Sequence, residues 1–177
     1  MPHSPEVPSV SYTVRTVRSD EWERLRSIRL EALADAPEAF ITTLAEATAF
    51  ADDLWIERAR AGAAGDTQVT VIAVSEADTV GLAVGLWDPE RSGSVMPVVS
   101  VFVAPRARRC GLGSAMMDAV HAWGRGKGAT SSSLWVVDGN DSARRFYEGL
   151  GYRRTLDRHR ITVPPVRWET RMTLQLR

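Results

Sequence analysis

The chain has 177 residues, 44% hydrophobic and 25% charged, a balance typical of one globular domain with a substantial core. Its 22 basic residues equal its 22 acidic residues, so no overall charge favours nucleic acid or an anionic membrane as a partner. The single cysteine, Cys110, excludes an internal disulfide and a cysteine-rich metal site, and with three scattered histidines no metal is expected.

The first eleven residues, MPHSPEVPSVS, contain three prolines and no apolar segment. This composition predicts a flexible tail over residues 1–11 and not a signal peptide, followed by one domain over residues 12–177. No stretch approaches the roughly 18 apolar residues that a membrane helix requires. We therefore expect a cytoplasmic protein without a membrane partner.

The elements of the domain follow one another at regular intervals. Runs of β-branched and apolar residues predict strands at 12–18, 68–75, 80–87, 94–103 and 131–137, and two more strands around a Pro-Pro loop near the C-terminus. Helical spacing and end signals predict helices at about 20–36, 52–62, 113–124 and 140–152. The segment 37–50 is ambiguous.

The resulting order, βααβββαβαββ, predicts an α/β fold. Three consecutive strands joined by short turns favour antiparallel pairing. The strand at 131–137 follows a crossover helix, which predicts that it runs parallel to the strand at 94–103. We therefore expect a single domain with a mixed, mostly antiparallel central sheet flanked by helices.

The segment VFVAPRARRCGLGSAM, residues 101–116, runs from a strand through a basic loop into a helix. The first amides of a helix have no intrahelical acceptor and lie at the positive end of its dipole, so they favour an anion. Gly111 and Gly113 allow close approach to the backbone, and three arginines add charge. A glycine-bearing turn with solvated arginines would explain the same residues.

Two familiar phosphate-binding loops do not fit this segment. A G-x-G-x-x-G dinucleotide loop requires glycine at position 116, which is Met116, and it normally follows the first strand of a parallel set. A nucleoside-triphosphate loop requires Gly-Lys followed by Ser or Thr, and the chain has no such sequence. Both patterns are therefore poor fits to the segment.

Two motifs resemble those of the GCN5-related N-acetyltransferase (GNAT) superfamily. The residues RRCGLG, 108–113, follow a strand that ends in Val-x-Pro and match the pattern R/Q-x-x-G-x-G/A. About thirty residues later, NDSARRFY, 140–147, followed by Gly-Leu-Gly-Tyr, resembles the second cofactor motif of the family. The two motifs stand in the family's order, separated by one helix and one strand, and the strong part of the resemblance covers residues 95–152.

The resemblance implies a GNAT-like domain that uses acetyl-CoA as cosubstrate and no metal. The loop amides would bind the CoA pyrophosphate, the arginines would neutralise phosphate charge, and the strands at 94–103 and 131–137 would separate to admit the pantetheine arm. The residues expected to bind the cofactor are Val101, Phe102, Val103, Arg108, Arg109, Cys110, Gly111, Leu112, Gly113, Ser114, Asn140, Ala143 and Phe146.

The implied reaction is direct attack of a primary amine on the thioester, through a tetrahedral intermediate. Tyr147 occupies the family position of the general acid that protonates the CoA thiolate. Without the motifs, Tyr147 would be interpreted as a core residue paired with Phe146, and Asn140 as a helix N-cap only. Cys110 is not expected to act as a nucleophile, because direct transfer needs no acyl-enzyme.

The sequence does not identify a general base. Many relatives carry a glutamate on the strand before the loop, but residues 96–100 contain no carboxylate, and Pro97 predicts a bulge or a break in pairing. Glu46, Asp88 and Glu90 are acids in segments that could border the cleft. Each is better explained as solvated surface, and we assign none of them a role. A water chain, or no dedicated base, would serve the reaction equally well.

The acceptor is expected to be a small-molecule or peptide amine, bound by segment 37–50 and the Pro-Pro loop at 164–165. Phe40, Trp87 and Trp135 are candidate walls, although most of the six tryptophans should be core. The sequence does not distinguish a polycationic acceptor from an amino acid, a peptide N-terminus or a small toxic amine.

Two other classes of function compete with an enzyme. The missing strand carboxylate is consistent with a non-catalytic acyl-CoA sensor of the same fold. Nucleic-acid binding is disfavoured by the neutral charge, although it would use a set of arginines: Arg106, Arg108, Arg109, Arg144 and Arg145. Homodimers are common in the family, but the sequence reveals no interface.

Overall fold

The computed structural model of the protein describes residues 11–162 and 164–177, so the predicted tail lies outside the described residues except for Ser11. The strands are β1 (Thr13–Thr16), β2 (Gln68–Val74), β3 (Thr79–Leu86), β4 (Val95–Val103), β5 (Ser131–Val137), β6 (Arg153–Ile161) and β7 (Arg167–Gln175). The helices are α1 (Trp22–Asp35), α2 (Leu44–Thr48), α3 (Asp52–Ala64), α4 (Pro89–Ser92), α5 (Leu112–Lys127) and α6 (Asp141–Gly149).

The strands form one sheet in the order β1-β2-β3-β4-β5-β7-β6. All neighbours pair antiparallel except β4 and β5, which are parallel, as the crossover helix α5 predicts. The predicted α/β fold with a mixed, mostly antiparallel sheet is confirmed. The ambiguous segment contains the short helix α2, and the turn before β4 contains α4, two elements that the sequence order omitted.

Helices cover both faces of the sheet. The side chains of β3 alternate between these two faces, so the strand contacts helices on each side. Gly81 and Gly85 face α5, where an added Cβ would lie 2.9 Å from Met116 Sδ and 2.8 Å from Val120 Cγ1, respectively. The alternate positions of the strand, Leu82, Val84 and Leu86, face α1 and α3 on the other side. The missing side chains on β3 therefore let α5 pack closely against the sheet.

Pairing between β4 and β5 ends soon after the strands begin. The parallel register joins residues 95–97 to residues 131–133 and stops at Pro97. Further along β4, its register with β3 shifts between Leu82 and Val84, and Ser100 has a positive φ of 58°. The expected break in pairing at Pro97 is thus present, whereas the bulge lies three residues later. The two strands separate and leave a cleft between them.

Among the described residues, none of the helices combines the length and apolar character needed to cross a membrane. The same residues contain no group of three or more His, Cys, Asp or Glu side chains placed to hold a metal ion.

Candidate active site

The loop between β4 and α5 presents a row of backbone amides without acceptors. Helix α5 begins at Leu112, and its first hydrogen bond joins the Ala115 amide to the Gly111 carbonyl at 3.0 Å. Within the described ranges, no protein atom accepts a hydrogen bond from the six amides at 109–114. Six free donors that lead into the positive end of a 16-residue helix favour an anion at this loop.

The backbone of this loop depends on its glycines. Gly111 has a φ of 76° with nothing within 4 Å of an added Cβ, and Arg109 adopts a similar φ of 64° despite its side chain. At Gly113 an added Cβ would lie only 2.9 Å from Phe146 Cζ. The second motif therefore packs against the first, and glycine at 113 is required for this contact.

The arginines of the loop differ in their partners. Arg106 donates to the carboxylates of Glu31 and Asp78, and these bonds raise the pKa of the Arg106 guanidinium above its usual value. Its charge is therefore neutralised by the protein. The expectation that all three arginines are available to phosphate does not fit this pairing.

Arg108 and Arg109 lie at the start of the amide row. Arg108 donates Nε to the Val103 carbonyl at 2.9 Å and forms an ion pair with Asp35. For Arg109, no hydrogen bond or ion pair of its side chain occurs within the described part of the chain, and the side chain is exposed. Arg109 is thus placed to add positive charge beside the amides.

A cavity of about 310 Å³, which we call the cleft cavity, occupies the gap between β4 and β5. It brings together four of the predicted site residues, namely Val101, Asn140, Ala143 and Tyr147. The side chains of Phe102 and Leu112 are instead buried in the core, and Cys110 is exposed, with Sγ 3.5 Å from the Arg108 carbonyl. Only the backbones of Phe102 and Leu112 are available to a ligand.

Tyr147 is a buried residue of α6 that lines the cleft cavity. Burial, with a smaller contribution from Tyr152, raises the pKa of Tyr147 well above its usual value, so its hydroxyl stays protonated at neutral pH. No hydrogen bond engages this hydroxyl within the described residues. It is therefore available to donate a proton inside the cleft.

Tyr152 differs from Tyr147 although their rings lie 5.8 Å apart. Its hydroxyl is 2.7 Å from both His121 Nε2 and Ser132 Oγ in a buried network. Burial raises the pKa of Tyr152 to about 12 and lowers the pKa of His121 to about 4, so both groups are neutral near pH 7. This network orients Tyr152, whose ring packs edge-on against that of Tyr147.

Asn140 holds the N-terminus of α6 in place. Its side-chain Oδ1 accepts a hydrogen bond from the Ala143 amide at 3.1 Å, which is an N-cap. Both residues also line the cleft cavity. The structural interpretation of Asn140 is therefore correct, and its location leaves the cofactor role compatible with the cap.

The acids considered from sequence do not reach the cleft cavity in the described structure. Glu46 forms a capping box with Thr43, Asp88 caps α4, and Glu90 is exposed on α4. The carboxylate that lines the cavity is Glu169 of β7, paired with His159 Nδ1 at 3.0 Å. The register of β7 against β5 places it there, and local sequence carries no signal for that pairing.

The two predicted acceptor segments are connected through a residue of β7. Phe40 and Trp135 line the cleft cavity, whereas Trp87 does not. Arg167 links the segments, because it donates to the carbonyls of Pro165 and Phe40. Phe40 and Trp135 therefore fit the predicted walls.

A second cavity of about 190 Å³, which we call the side cavity, adjoins the cleft cavity. The two share Arg29, Thr42, Val99 and Ser100 as lining residues. Sequence reasoning missed this cavity and its arginines, since α1 and α3 contribute them without any recognisable motif.

Known proteins share this fold. Residues 22–152 match the Acetyltransferase (GNAT) family. The match covers most of the chain, and the protein belongs to this family.

Solved structures support the same assignment of fold. The putative acetyltransferase yncA from Salmonella typhimurium, solved with its cofactor acetyl-CoA, superposes with a TM-score of 0.74 at 17% identity, over 94% of each chain. A GNAT-family acetyltransferase from Streptococcus pneumoniae gives a TM-score of 0.76 at 16% identity, over 94% of this chain and all of the other.

One curated relative matches over a shorter stretch. The catalytic subunit naa20 of the N-terminal acetyltransferase B complex of Schizosaccharomyces pombe is 42% identical over 55 residues. The match spans 31% of each chain, so this relative's activity is not transferred to the protein.

Proposed function

We propose that the protein transfers the acetyl group of acetyl-CoA to a primary amine of a small molecule, amino acid or peptide, by direct attack of the amine on the thioester. The observation that carries this proposal is the row of acceptor-free amides at 109–114 beside the open ends of β4 and β5. A pyrophosphate needs several convergent donors, and a loop of this kind supplies them without side chains.

The residues of the loop and cleft fit acetyl-CoA, which supplies an activated acetyl group and a thiol leaving group. The amides at 109–114 would hold the pyrophosphate, with positive charge mainly from Arg109. Arg108 would add less, because Asp35 neutralises its charge. The backbone of residues 101–103 would bind the pantetheine arm, because β4 has no partner strand there on the β5 side. Asn140, Ala143 and Phe146 would shape the wall formed by α6.

Tyr147 would be the general acid for the departing sulfur. Tyr147 lines the cleft cavity, and its hydroxyl remains protonated at neutral pH. A free alkyl thiol has a pKa of about 8.5, and an apolar cleft disfavours its anion further, so a nearby proton donor stabilises the leaving group.

Two measurements test the proposal in sequence. Acetyl-CoA at 100 times its dissociation constant should stabilise the folded protein by about 2.7 kcal/mol, seen as a rise in Tm. Mass spectrometry of an amine panel should then detect acetylated products. Binding without any product would favour the acyl-CoA sensor instead, and the absence of binding would reject both functions.

Replacing the general acid should separate chemistry from binding. We expect Tyr147→Phe to lower kcat about 100-fold, the lower end of the usual contribution of acid catalysis, with little change in the dissociation constant of acetyl-CoA. Tyr152→Phe is the matched control, because it breaks the bonds to His121 and Ser132 and should lower stability more than kcat. Equal kcat in Tyr147→Phe and the parent enzyme would remove the proposed acid.

A further inference from the structure

The side cavity has an unusual combination of apolar walls and positive charge. Its apolar lining comes from α1, α3 and β3 and includes Leu25, Trp55, Leu82, Val84 and Leu86. Its charged lining residues are Arg29 and Arg58, and no acid is among the described residues that line it. A cavity of this size has room for a small ligand group or several water molecules.

Arg29 projects from α1 to the junction of the two cavities. Its guanidinium lies 4.4 Å from the centre of the Phe40 ring and donates Nη1 to Ser100 Oγ at 3.3 Å. Within the described residues, no ion pair joins it to a carboxylate. Arg29 is therefore a half-buried cation held by a hydroxyl and a ring, neither of which carries a negative charge.

Arg58 approaches the side cavity from α3. Its guanidinium lies 5.3 Å from the centre of the Phe50 ring and 5.2 Å from that of Trp55. The described structure contains no ion pair from Arg58 to a carboxylate. The aromatic rings orient the guanidinium and leave its donors unneutralised.

The two guanidinium groups act on each other. Burial, and next the positive charge of Arg58, lowers the pKa of Arg29 to about 10, and burial lowers the pKa of Arg58. Two cations that share one partly buried cavity without an acid raise the free energy of the folded state. An anion that bound between them would remove this cost.

We propose that the side cavity is the acceptor subsite and that Arg29 and Arg58 bind a carboxylate carried by the amine substrate. The proposal rests on the proposed acetyltransferase function, because it assigns the substrate class of that same site. Guanidinium groups match carboxylates through paired N–H donors, which makes a carboxylate the expected anion. A polycationic amine would instead be repelled by the same two charges.

The subsite also explains how the amine reaches the chemistry. The cleft cavity contains Tyr147, and the side cavity adjoins it at Arg29 and Ser100. A substrate whose carboxylate lies between the guanidinium groups would extend its amine toward the cleft. Binding energy at the carboxylate would then orient the amine for attack.

The first test compares each acceptor with its neutral analogue. We would measure kcat/KM for free L-amino acids and for the corresponding amino-acid amides, at saturating acetyl-CoA. We expect the best amino acid to exceed its amide at least tenfold. In a second arm, we would compare kcat/KM for peptide amides that carry Asp or Asn after the first residue. A preference for Asp would show that the carboxylate that binds the subsite belongs to a peptide side chain.

Variants identify the residues responsible. Arg29→Met and Arg58→Met should abolish the preference for the acid over the amide while leaving the affinity for acetyl-CoA unchanged. Arg58→Lys, which keeps the positive charge, should retain part of this preference. Arg60→Met is the matched control, since Arg60 is an exposed arginine on the same helix outside both cavities. Equal loss in Arg60→Met would show a general charge effect and overturn the subsite.

A binding measurement separates failure of the subsite from failure of the enzyme. In the presence of CoA, N-acetyl-amino acids should raise the Tm of the parent protein more than their amides do, and this difference should vanish in Arg29→Met. Acetylation of amines without any preference for acids would overturn the subsite and leave the enzyme intact. Preferential binding of the acids without turnover would support the subsite and reject the enzyme, and neither effect would reject both.

Discussion

The loop before α5 and the side cavity both contain arginines, but these arginines differ in whether acids pair with them. At the loop, Arg106 and Arg108 form ion pairs with acids from α1 and from the turn before β3. In the side cavity, Arg29 and Arg58 contact aromatic rings and have no carboxylate partner among the described residues. Two of the three arginines in the basic loop, Arg106 and Arg108, are therefore neutralised by acids, whereas the two arginines of the side cavity are not.

This difference shows that an arginine-rich motif does not by itself identify the anion site. Backbone amides provide the donors at the loop, and the paired arginines fasten the loop to α1. An anion that reaches the loop meets main-chain donors, whereas one that reaches the side cavity meets guanidinium groups. The two sites are therefore expected to respond to different substitutions.

The largest expected effect is at the loop backbone. Gly113→Val should weaken acetyl-CoA binding about 100-fold, measured by calorimetry, because the side chain collides with Phe146 and turns amides away from the phosphates. This fold-change corresponds to about 2.7 kcal/mol, roughly two charge-assisted hydrogen bonds. Gly126→Ala, on an exposed turn of the same helix with nothing near the added Cβ, should leave affinity unchanged. Equal affinities in the two variants would contradict an amide-based site.

A smaller effect, a gain in stability and not a loss of affinity, is expected in the side cavity. Arg29→Met should raise the free energy of unfolding of the ligand-free protein by about 1 kcal/mol, because it removes a half-buried charge that lacks an acid. The pKa of Arg29, lowered to about 10, shows the direction of this cost, since the folded state disfavours the charged form. Urea unfolding at pH 7 measures the change, with Arg60→Met expected within about 0.5 kcal/mol of the parent. Clear destabilisation by Arg29→Met would mean that the charge stabilises the fold.

The smallest effects distinguish the arginines within the loop. Arg109→Gln should weaken acetyl-CoA binding roughly threefold to fivefold and make the affinity less sensitive to salt, because this exposed charge lies beside the amides. Arg106→Gln should leave the affinity within about twofold and lower stability by about 0.5–1 kcal/mol, because its partners are Glu31 and Asp78. Titrations at two salt concentrations compare the variants. A greater loss of affinity in Arg106→Gln would show that its ion pairs open on binding.

Much of the fold could be predicted because its signals are local. These signals, each of which acts over a few residues, are the β-branched and apolar runs in β2 and β3, the caps and glycines of α5 and α6, and the crossover before β5. The short helices α2 and α4 were missed because their four or five residues are too few for a periodic signal. Pro97 predicted where pairing between β4 and β5 ends. The bulge at Ser100 could not be located in this way, because it depends on the register between β4 and β3.

The candidate site was predictable only where it is built from contiguous motifs. Tyr147, Asn140 and the loop glycines lie in two short segments, and the structure brings them to one cleft and one loop. The cleft acid Glu169 was missed because its place depends on pairing between β7 and β5. Arg29 was missed because nothing in its own helix marks it as different from other arginines.

The sequence by itself determined the order of elements and a loop whose amides must lack helical acceptors, because chain geometry at a helix N-terminus leaves them unpaired. Only the tertiary structure decided which charges are neutralised. Arg108 meets Asp35 across 73 residues of sequence, while Arg29 and Arg58 meet rings in a partly buried cavity. Coulomb interactions depend on distances of a few ångströms and on burial, and both are fixed by packing and not by neighbours in the chain.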